Sequence, residues 1–329
     1  MGAQGSASSG GRLFNVLTIL LASAFLLPGL APTLFGWISG LLTIPVFWLL
    51  TVYGQKRGTV IIRNSTILAI VVAVFSHLLA SVLFSLTLVP LGYSFYKSSI
   101  SKEDVITTGA KGVVILTVSW LVFWVGYGTV QDANPYSYLL EILDTGFAQT
   151  YELYSTNKNI PVETLINLER AVNEIRLVIP RILPGILFCT VLLTVWINLV
   201  GSISLLGRIK PGQLPWKNFK YWRLPEKLIW LPIVAAIALI VGEGMVGSAG
   251  LCLIIISALV YFFQGLAVFV HFIDKWKVPL YLKIAIYGIL ILQSYGLLLL
   301  SVIGIADVWI DFRRHRKNDN ETVNRDRDK

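Results

Sequence analysis

Apolar residues fall along this chain in long unbroken stretches, separated by short polar segments that carry most of the charge. Stretches at residues 13–30, 34–53, 113–130, 182–206, 228–241 and 250–272 read as single spans, judged against the ~20 residues an α-helix needs to cross a bilayer. Two others, 67–96 and 280–309, are too long for one pass. The pattern predicts an all-α polytopic transmembrane bundle of about eight to ten spans.

Charge in the connecting segments sets the path. Segment 55–63 holds Lys56, Arg57 and Arg63, and segment 97–111 holds Lys97, Lys102 and Lys111 against Glu103 and Asp104, so both are expected on the cytoplasmic side. They share a side only if 67–96 crosses twice, with a turn near residues 77–81. Segment 131–180 then falls outside, with Asp132, Glu141, Asp144, Glu152, Glu163, Glu169 and Glu174 against Lys158, Arg170 and Arg176. Segment 207–227 returns inside with Arg208, Lys210, Lys217, Lys220, Arg223 and Lys227 against Glu226 alone. Glu243 sits in a short outer turn, and Lys275, Lys277 and Lys283 lie inside. For 280–309 two paths stay open: one long tilted helix with an external basic tail, or two crossings turning near 293–296. The first expects Arg313, Arg314, Arg316 and Lys317 outside; the second places them in the cytoplasm.

Two segments have a different period. Asn134-Pro135 opens a helix as a capping residue followed by proline at the first position. Tyr136, Leu139, Leu140, Leu143, Phe147, Tyr151 and Tyr154 then recur at three- and four-residue steps. A second helix opens at Asn159-Ile160-Pro161, carries Leu165, Leu168, Val172, Ile175 and Ile179 on one face, and is expected to end at Pro180. Residues 134–180 are thus predicted to form an extracytoplasmic amphipathic helical hairpin: a surface connector, a lid over the bundle mouth, or a surface for a partner.

Composition confirms lipid as the solvent. Hydrophobic residues make up 55% and charged residues 14% of the chain, and the mean hydropathy is +0.73. A soluble domain carries about a quarter charged residues. The net charge of +9 fits the excess of cytoplasmic Lys and Arg in membrane proteins, and no nucleic-acid partner is expected. Residues 1–12 form a Gly- and Ser-rich tail expected to be disordered; 311–329 is a charged tail. Ala22-Ser23-Ala24 could pass for a signal-peptidase site, but the apolar run continues, so an uncleaved first span is expected.

Site chemistry is sparse. There is no phosphate-binding loop, no H-E-x-x-H, no G-x-S-x-G, and the three histidines (His77, His271, His315) are scattered. Cys189 and Cys252 have no ligand spacing. No catalytic residue, metal site or cofactor is expected, and the chain is read as a non-enzyme. His77, Glu243, His271 and Asp307 are the ionisable groups nearest membrane depth, where a charge is costly and so a functional candidate. Asp307 leads: Asp307 and Asp311 fall at i and i+4, with Arg313 and Arg314 close enough to pair. Ion pairs pinning a helix end are the structural alternative. Gly36-x-x-x-Gly40 and Gly126-x-Gly128 read as helix-packing pairs.

The densest signal is 219–230, where Phe219, Tyr221, Trp222 and Trp230 interleave with Lys220, Arg223 and Lys227 at the edge of an apolar run. Trp222, Arg223, Pro225 and Glu226 are candidate docking residues here. With Trp216 and Lys217, segment 207–227 is expected to engage membrane lipid or a membrane or cytoplasmic protein partner. The motif Phe219-x-x-Trp222-Arg223-Leu224-Pro225-Glu226, Gln264-Gly265, and the run Gly304-Ile305-Ala306-Asp307-Val308-Trp309-Ile310-Asp311-Phe312-Arg313 resemble the YybS-like family of predicted bacterial membrane proteins, a domain of unknown function. The resemblance runs from about Leu13 to Arg313 and implies a multi-pass protein of the bacterial inner membrane.

Residues 13–206, six spans in this reading, are similar in layout to the substrate-binding S components of energy-coupling-factor vitamin transporters. That similarity implies a helical bundle taking an unidentified small molecule from outside, energised by separate subunits. The first span lacks the A-x-x-x-A surface of S components, having only Ala22-Ser23-Ala24, and the outer hairpin and the segment after Gly207 are additions. The second reading is a non-enzymatic scaffold or assembly factor of the bacterial envelope, akin to rod-shape-determining membrane proteins.

Overall fold

The computed structural model describes residues 4–156, 161–209, 214–293, 295–310 and 312–313. Among these residues every regular element is helical. The chain divides into two compact units, Met1–Trp216 and Lys217–Lys329.

In the first unit, α1 (Gln4–Leu30) packs on α3 (Thr43–Phe75) through Leu21, Ala22, Phe25 and Leu26. Its helix starts at Gln4, and the part of it long and apolar enough to cross a membrane is Gly11–Leu30. The stretch 34–53 is not one helix. It comprises α2 (Pro32–Phe35), a 3-10 segment (Gly36–Leu41) and the first arm of α3. Gly54 then takes φ 76°, ψ 164°, a conformation essentially reserved for glycine. There the chain doubles back, so closely that a Cβ on Gly58 would lie 3.0 Å from the Leu50 Cα.

The second arm of α3 ends at Phe75. After a turn at His77 (φ 56°), α4 (Leu79–Leu86) and α5 (Val89–Ile100) run back, and the Tyr93 hydroxyl meets Thr59 Oγ1 at 3.1 Å. The expected reversal near residues 77–81 is therefore present, and segments 55–63 and 97–111 lie at one end of this unit. Asp104 caps α6 (Val105–Gln131) by accepting from the backbone of Ile106 and Thr107, both at 3.0 Å.

The hairpin follows. Asn134 caps α7 (Pro135–Ser155) as expected, accepting from Tyr136 N at 2.9 Å. The second helix, however, does not end at Pro180. Helix α8 (Val162–Ile209) runs 48 residues, about 72 Å, through Pro180 and Pro184. Pro184 has no N–H to give the Pro180 carbonyl four residues back, and the Tyr136 hydroxyl donates to that carbonyl at 3.0 Å. A partner from α7 thus replaces the bond that proline removes. Arg176 Nε pairs with Asp144 Oδ1 at 2.7 Å across the hairpin, and Val172 is buried.

In the second unit, 3-10 turns at Phe219–Tyr221 and Glu226–Ile229 lead into α9 (Trp230–Val241). The chain reverses at Gly242 to Gly244, and α10 (Gly244–Lys275) packs back on α9 and along the final helix, α12 (Tyr295–Ile310). Between them lies α11 (Leu280–Leu292). The run 280–309 is not one tilted helix: it bends by 102° between Leu280–Leu290 and Tyr295–Ile310, the geometry of a broken span or a re-entrant pair.

Six helices among the described residues are long and apolar enough to cross a membrane, or seven if the bent pair counts as one span. That is fewer than the eight to ten predicted. The 12 residues of α9 cover about 18 Å against a hydrocarbon core of ~30 Å, and 34–53 is broken into short pieces.

Candidate functional site

Three of the sequence-predicted site residues, Asp307, Arg313 and Trp222, meet in the second unit at one buried carboxylate. Asp307, in the last turn of α12, keeps 1% of its side chain exposed, and Arg313 keeps 3%. Arg313 Nη2 donates to Asp307 Oδ2 at 2.6 Å, and Gln264 Nε2, from α10, donates to the same oxygen at 3.0 Å. The other oxygen accepts from Phe312 N at 3.1 Å. Arg313 Nη1 donates to the carbonyls of Trp222 (2.6 Å) and Lys220 (3.2 Å), while Gln264 Oε1 accepts from Leu224 N at 3.1 Å.

These bonds give one guanidinium two tasks: it neutralises Asp307 and holds the backbone of 220–224 against the helices. Gln264 can occupy only one amide orientation, since it must donate to a carboxylate and accept from an N–H. Beside this network α10 and α12 cross closely. A Cβ on Gly265 would collide with the Leu300 carbonyl, and one on Gly304 with the Tyr261 carbonyl. The motif residues around positions 222, 264, 304 and 313 therefore form one structural unit.

The remaining candidates are less engaged. The Trp222 indole stacks edge-on with Phe219 at 5.2 Å and donates Nε1 to Lys217 O at 2.9 Å. Arg223, Pro225 and Glu226 are exposed, and Asp311 lies outside the described residues, as do Arg314, His315, Arg316 and Lys317. Lys220 bonds Asp274 at 3.1 Å, which raises its pKa above the ordinary lysine value. His77 occupies an exposed turn, Glu243 precedes α10 without capping it through its side chain, and His271 packs against Tyr221 at 6.3 Å. Trp216 belongs to the first unit. It is buried against Phe47 at 5.9 Å and donates Nε1 to Glu103 O at 2.9 Å.

Sequence reasoning missed two features of the first unit. The first is a buried polar group at the 3-10 segment. Asn198 Nδ2 donates to Gly40 O at 2.6 Å and Thr194 O at 2.8 Å, which leaves Asn198 Oδ1 facing inward with no bond; the Ser202 hydroxyl one turn on is also unbonded. This corrects the reading of Gly36 and Gly40 as a packing pair. A Cβ on either would meet nothing within 4 Å, and Gly40 serves through its carbonyl. Gly126 likewise faces open space, whereas a Cβ on Gly128 would strike Ala133 O and Pro135, so Gly128 packs the turn into α7.

The second is a cavity of about 320 Å³ lined by Ala80, Ser81, Phe84, Phe123, Trp124, Tyr127 and Tyr138. Its rings form a connected set: Phe84 to Phe123 at 5.3 Å, Phe123 to Trp124 at 5.4 Å, and Trp124 to Tyr127 at 6.0 Å. Tyr138 comes from α7, so the amphipathic hairpin supplies one wall. Aromatic residues at steps of one and four along α6 carried the signal, but the part played by α4 and α7 is tertiary. Among the described residues no group of three His, Cys, Asp or Glu could hold a metal ion.

The class these features define is a multi-pass α-helical membrane protein with a pinned C-terminal helix cluster and an aromatic cavity in its larger unit. The chain belongs to the family described as Predicted membrane protein (DUF2232), whose model matches residues 16–308. Comparison with curated proteins and with solved structures found no match.

Proposed function

We propose that this protein is a non-enzymatic binder of a small molecule, taken up in the aromatic cavity of the first unit from the side where the hairpin lies. This is the role of a transporter S component. The supporting observation is the cavity: about 320 Å³ falls at the small end of ligand pockets, its walls are aromatic, and one wall belongs to an inserted hairpin of the kind that serves as a lid. The similarity in layout to S components and the YybS-like resemblance agree with this reading, and with placement in a bacterial inner membrane.

The scaffold reading rests on segment 207–227, but Trp216 is spent inside the first unit and the backbone at 220–224 is held by Arg313 and Gln264. Pro225 and Glu226 are exposed on this segment. The test uses the full chain in phosphatidylglycerol nanodiscs, with 4-bromobenzyl alcohol as a heavy-atom quencher of tryptophan fluorescence. Saturable quenching that disappears in Phe84→Ala and Tyr138→Ala supports binding in the cavity. Quenching that rises linearly and equally in both variants is partition into lipid and rejects it.

A further inference from the structure

We infer that the group received by the aromatic cavity is an alkylated ammonium, an organic cation with an apolar surface. The inference rests on the small-molecule reading above and adds the chemistry of the ligand. Three observations carry it. First, Phe84, Phe123, Trp124, Tyr127 and Tyr138 line one open space, so a ligand there meets aromatic rings from three helices. Electron-rich faces of tryptophan and tyrosine attract a cation, and a cation without N–H groups loses little by leaving water. Second, the lining residues include no Lys or Arg to occupy that space and no carboxylate to demand a hydrogen-bonding amine. Third, the approach is acidic. Asp132 follows α6 five residues past Tyr127, and Glu141 lies one turn beyond Tyr138; both are exposed.

Segment 131–180 as a whole carries seven acids against three bases, with Arg176 committed to Asp144 and Arg181 the next base along α8. An excess of acids on the segment that supplies Tyr138 favours arrival of a cation and disfavours an anionic ligand. Rings at the end of a membrane helix also anchor to headgroups, but an anchoring girdle faces outward along separate helices. Here Phe84 of α4 packs directly on Phe123 and Trp124 of α6, and Tyr138 of α7 lines the same open space.

The measurement is displacement of 4-bromobenzyl alcohol from the full chain in phosphatidylglycerol nanodiscs by choline and by its neutral isostere 3,3-dimethyl-1-butanol, which has carbon in place of nitrogen. Choline is expected to compete about tenfold more strongly. Tyr127→Leu, which keeps Trp124 as the reporter, should remove most of that preference while sparing the neutral compound, which also shows that the variant is folded. A second set of discs containing phosphatidylcholine separates the sources: reduced choline affinity assigns the site to a lipid headgroup, unchanged affinity to a soluble cation, and either supports an ammonium site. Equal competition by the two compounds, or competition by neither against saturable 4-bromobenzyl alcohol, overturns the inference but leaves small-molecule binding standing. Failure of 4-bromobenzyl alcohol itself to saturate defeats both.

Discussion

The two units of this protein differ in where their buried charge lies: among the described residues, the second buries an ion pair in a hydrogen-bonded network, and the first buries only neutral polar groups. In the second, the charge on Asp307 is met at both oxygens and Arg313 bonds through both terminal nitrogens to it and to the loop backbone, while Arg313 Nε and the Tyr261 hydroxyl are buried and unbonded. In the first, Asn198 Oδ1 and the hydroxyls of Ser85, Thr117 and Ser202 are buried and unbonded, and an aromatic space stands open between helices. A densely bonded ion pair fixes one conformation of the helices and loop around it. Residues that stand out in sequence are therefore not the best candidates for contacting a ligand. The charged motif of the second unit holds structure, and the less conspicuous rings of the first line the cavity.

The largest expected effect follows from the ion-pair network. Replacing Asp307 by alanine strands the Arg313 guanidinium in a site where 3% of it is exposed, at a cost of about 3–5 kcal/mol. Arg313→Met alone strands Asp307 and also frees the carbonyls of Lys220 and Trp222. The double variant Asp307→Leu with Arg313→Met should recover a substantial part of the loss, because it removes both charges, and thermal unfolding in nanodiscs reads the cycle. If Asp307→Ala unfolds like the parent, the pair is solvated and the contrast between the units fails.

A smaller effect is expected in the hairpin. Leu143 and Leu168 are half-buried on the facing sides of α7 and α8, so Leu143→Asp with Leu168→Asp places two charges at a partly desolvated seam. Lower protease resistance within 134–180 is expected, with the spans intact. Because Tyr138 lines the cavity, loosened packing of α7 should also weaken 4-bromobenzyl alcohol binding. Unchanged protection would mean that these faces are simply solvated and that the hairpin does not control the cavity.

How far the fold was legible depends on the range of the signal. Local signals translated directly: the Asn134 cap, the turn at His77, and apolar runs of crossing length. Signals that needed a partner did not. Pro180 reads as a helix stop, and nothing near it announces that Tyr136 bonds its carbonyl from 44 positions away. Gly54 sits inside a basic linker, where a glycine of positive φ looks like any loop residue, yet it reverses the chain. For the site, the motifs at 219–226, 264–265 and 304–313 were visible as separate words. Their meeting through Arg313, across 91 and 93 positions, was not. Asp307 was singled out for its cost at depth, and its partner proved to be Arg313, with Asp311 outside the described residues. The cavity was the least legible, since three helices contribute its rings.

The smallest expected effect tests the end of the first unit where segments 55–63 and 97–111 meet. Glu103 accepts from Lys111 and from Ser98 Oγ (2.7 Å), and these bonds hold its carboxyl below the usual glutamate range. Asp104 is lowered by the Thr107 hydroxyl and backbone as it caps α6. A carboxylate whose folded pKa is depressed contributes stability above its unfolded value, about 4, and loses it as pH falls through the folded value. The α6 cap and the 101–104 turn should therefore loosen only in acid, below about pH 4, and be insensitive from there to neutrality. Trp216 reports the change, because its Nε1 bonds Glu103 O and its ring packs on Phe47. Its emission, isolated as the difference between parent and Trp216→Phe, should shift to the red on acidification. Glu103→Gln should weaken the shift, while Asp104→Ala, which loses the cap at about 1 kcal/mol, should move it toward neutral pH. A shift centred well above the carboxylate range would show that another group controls this contact.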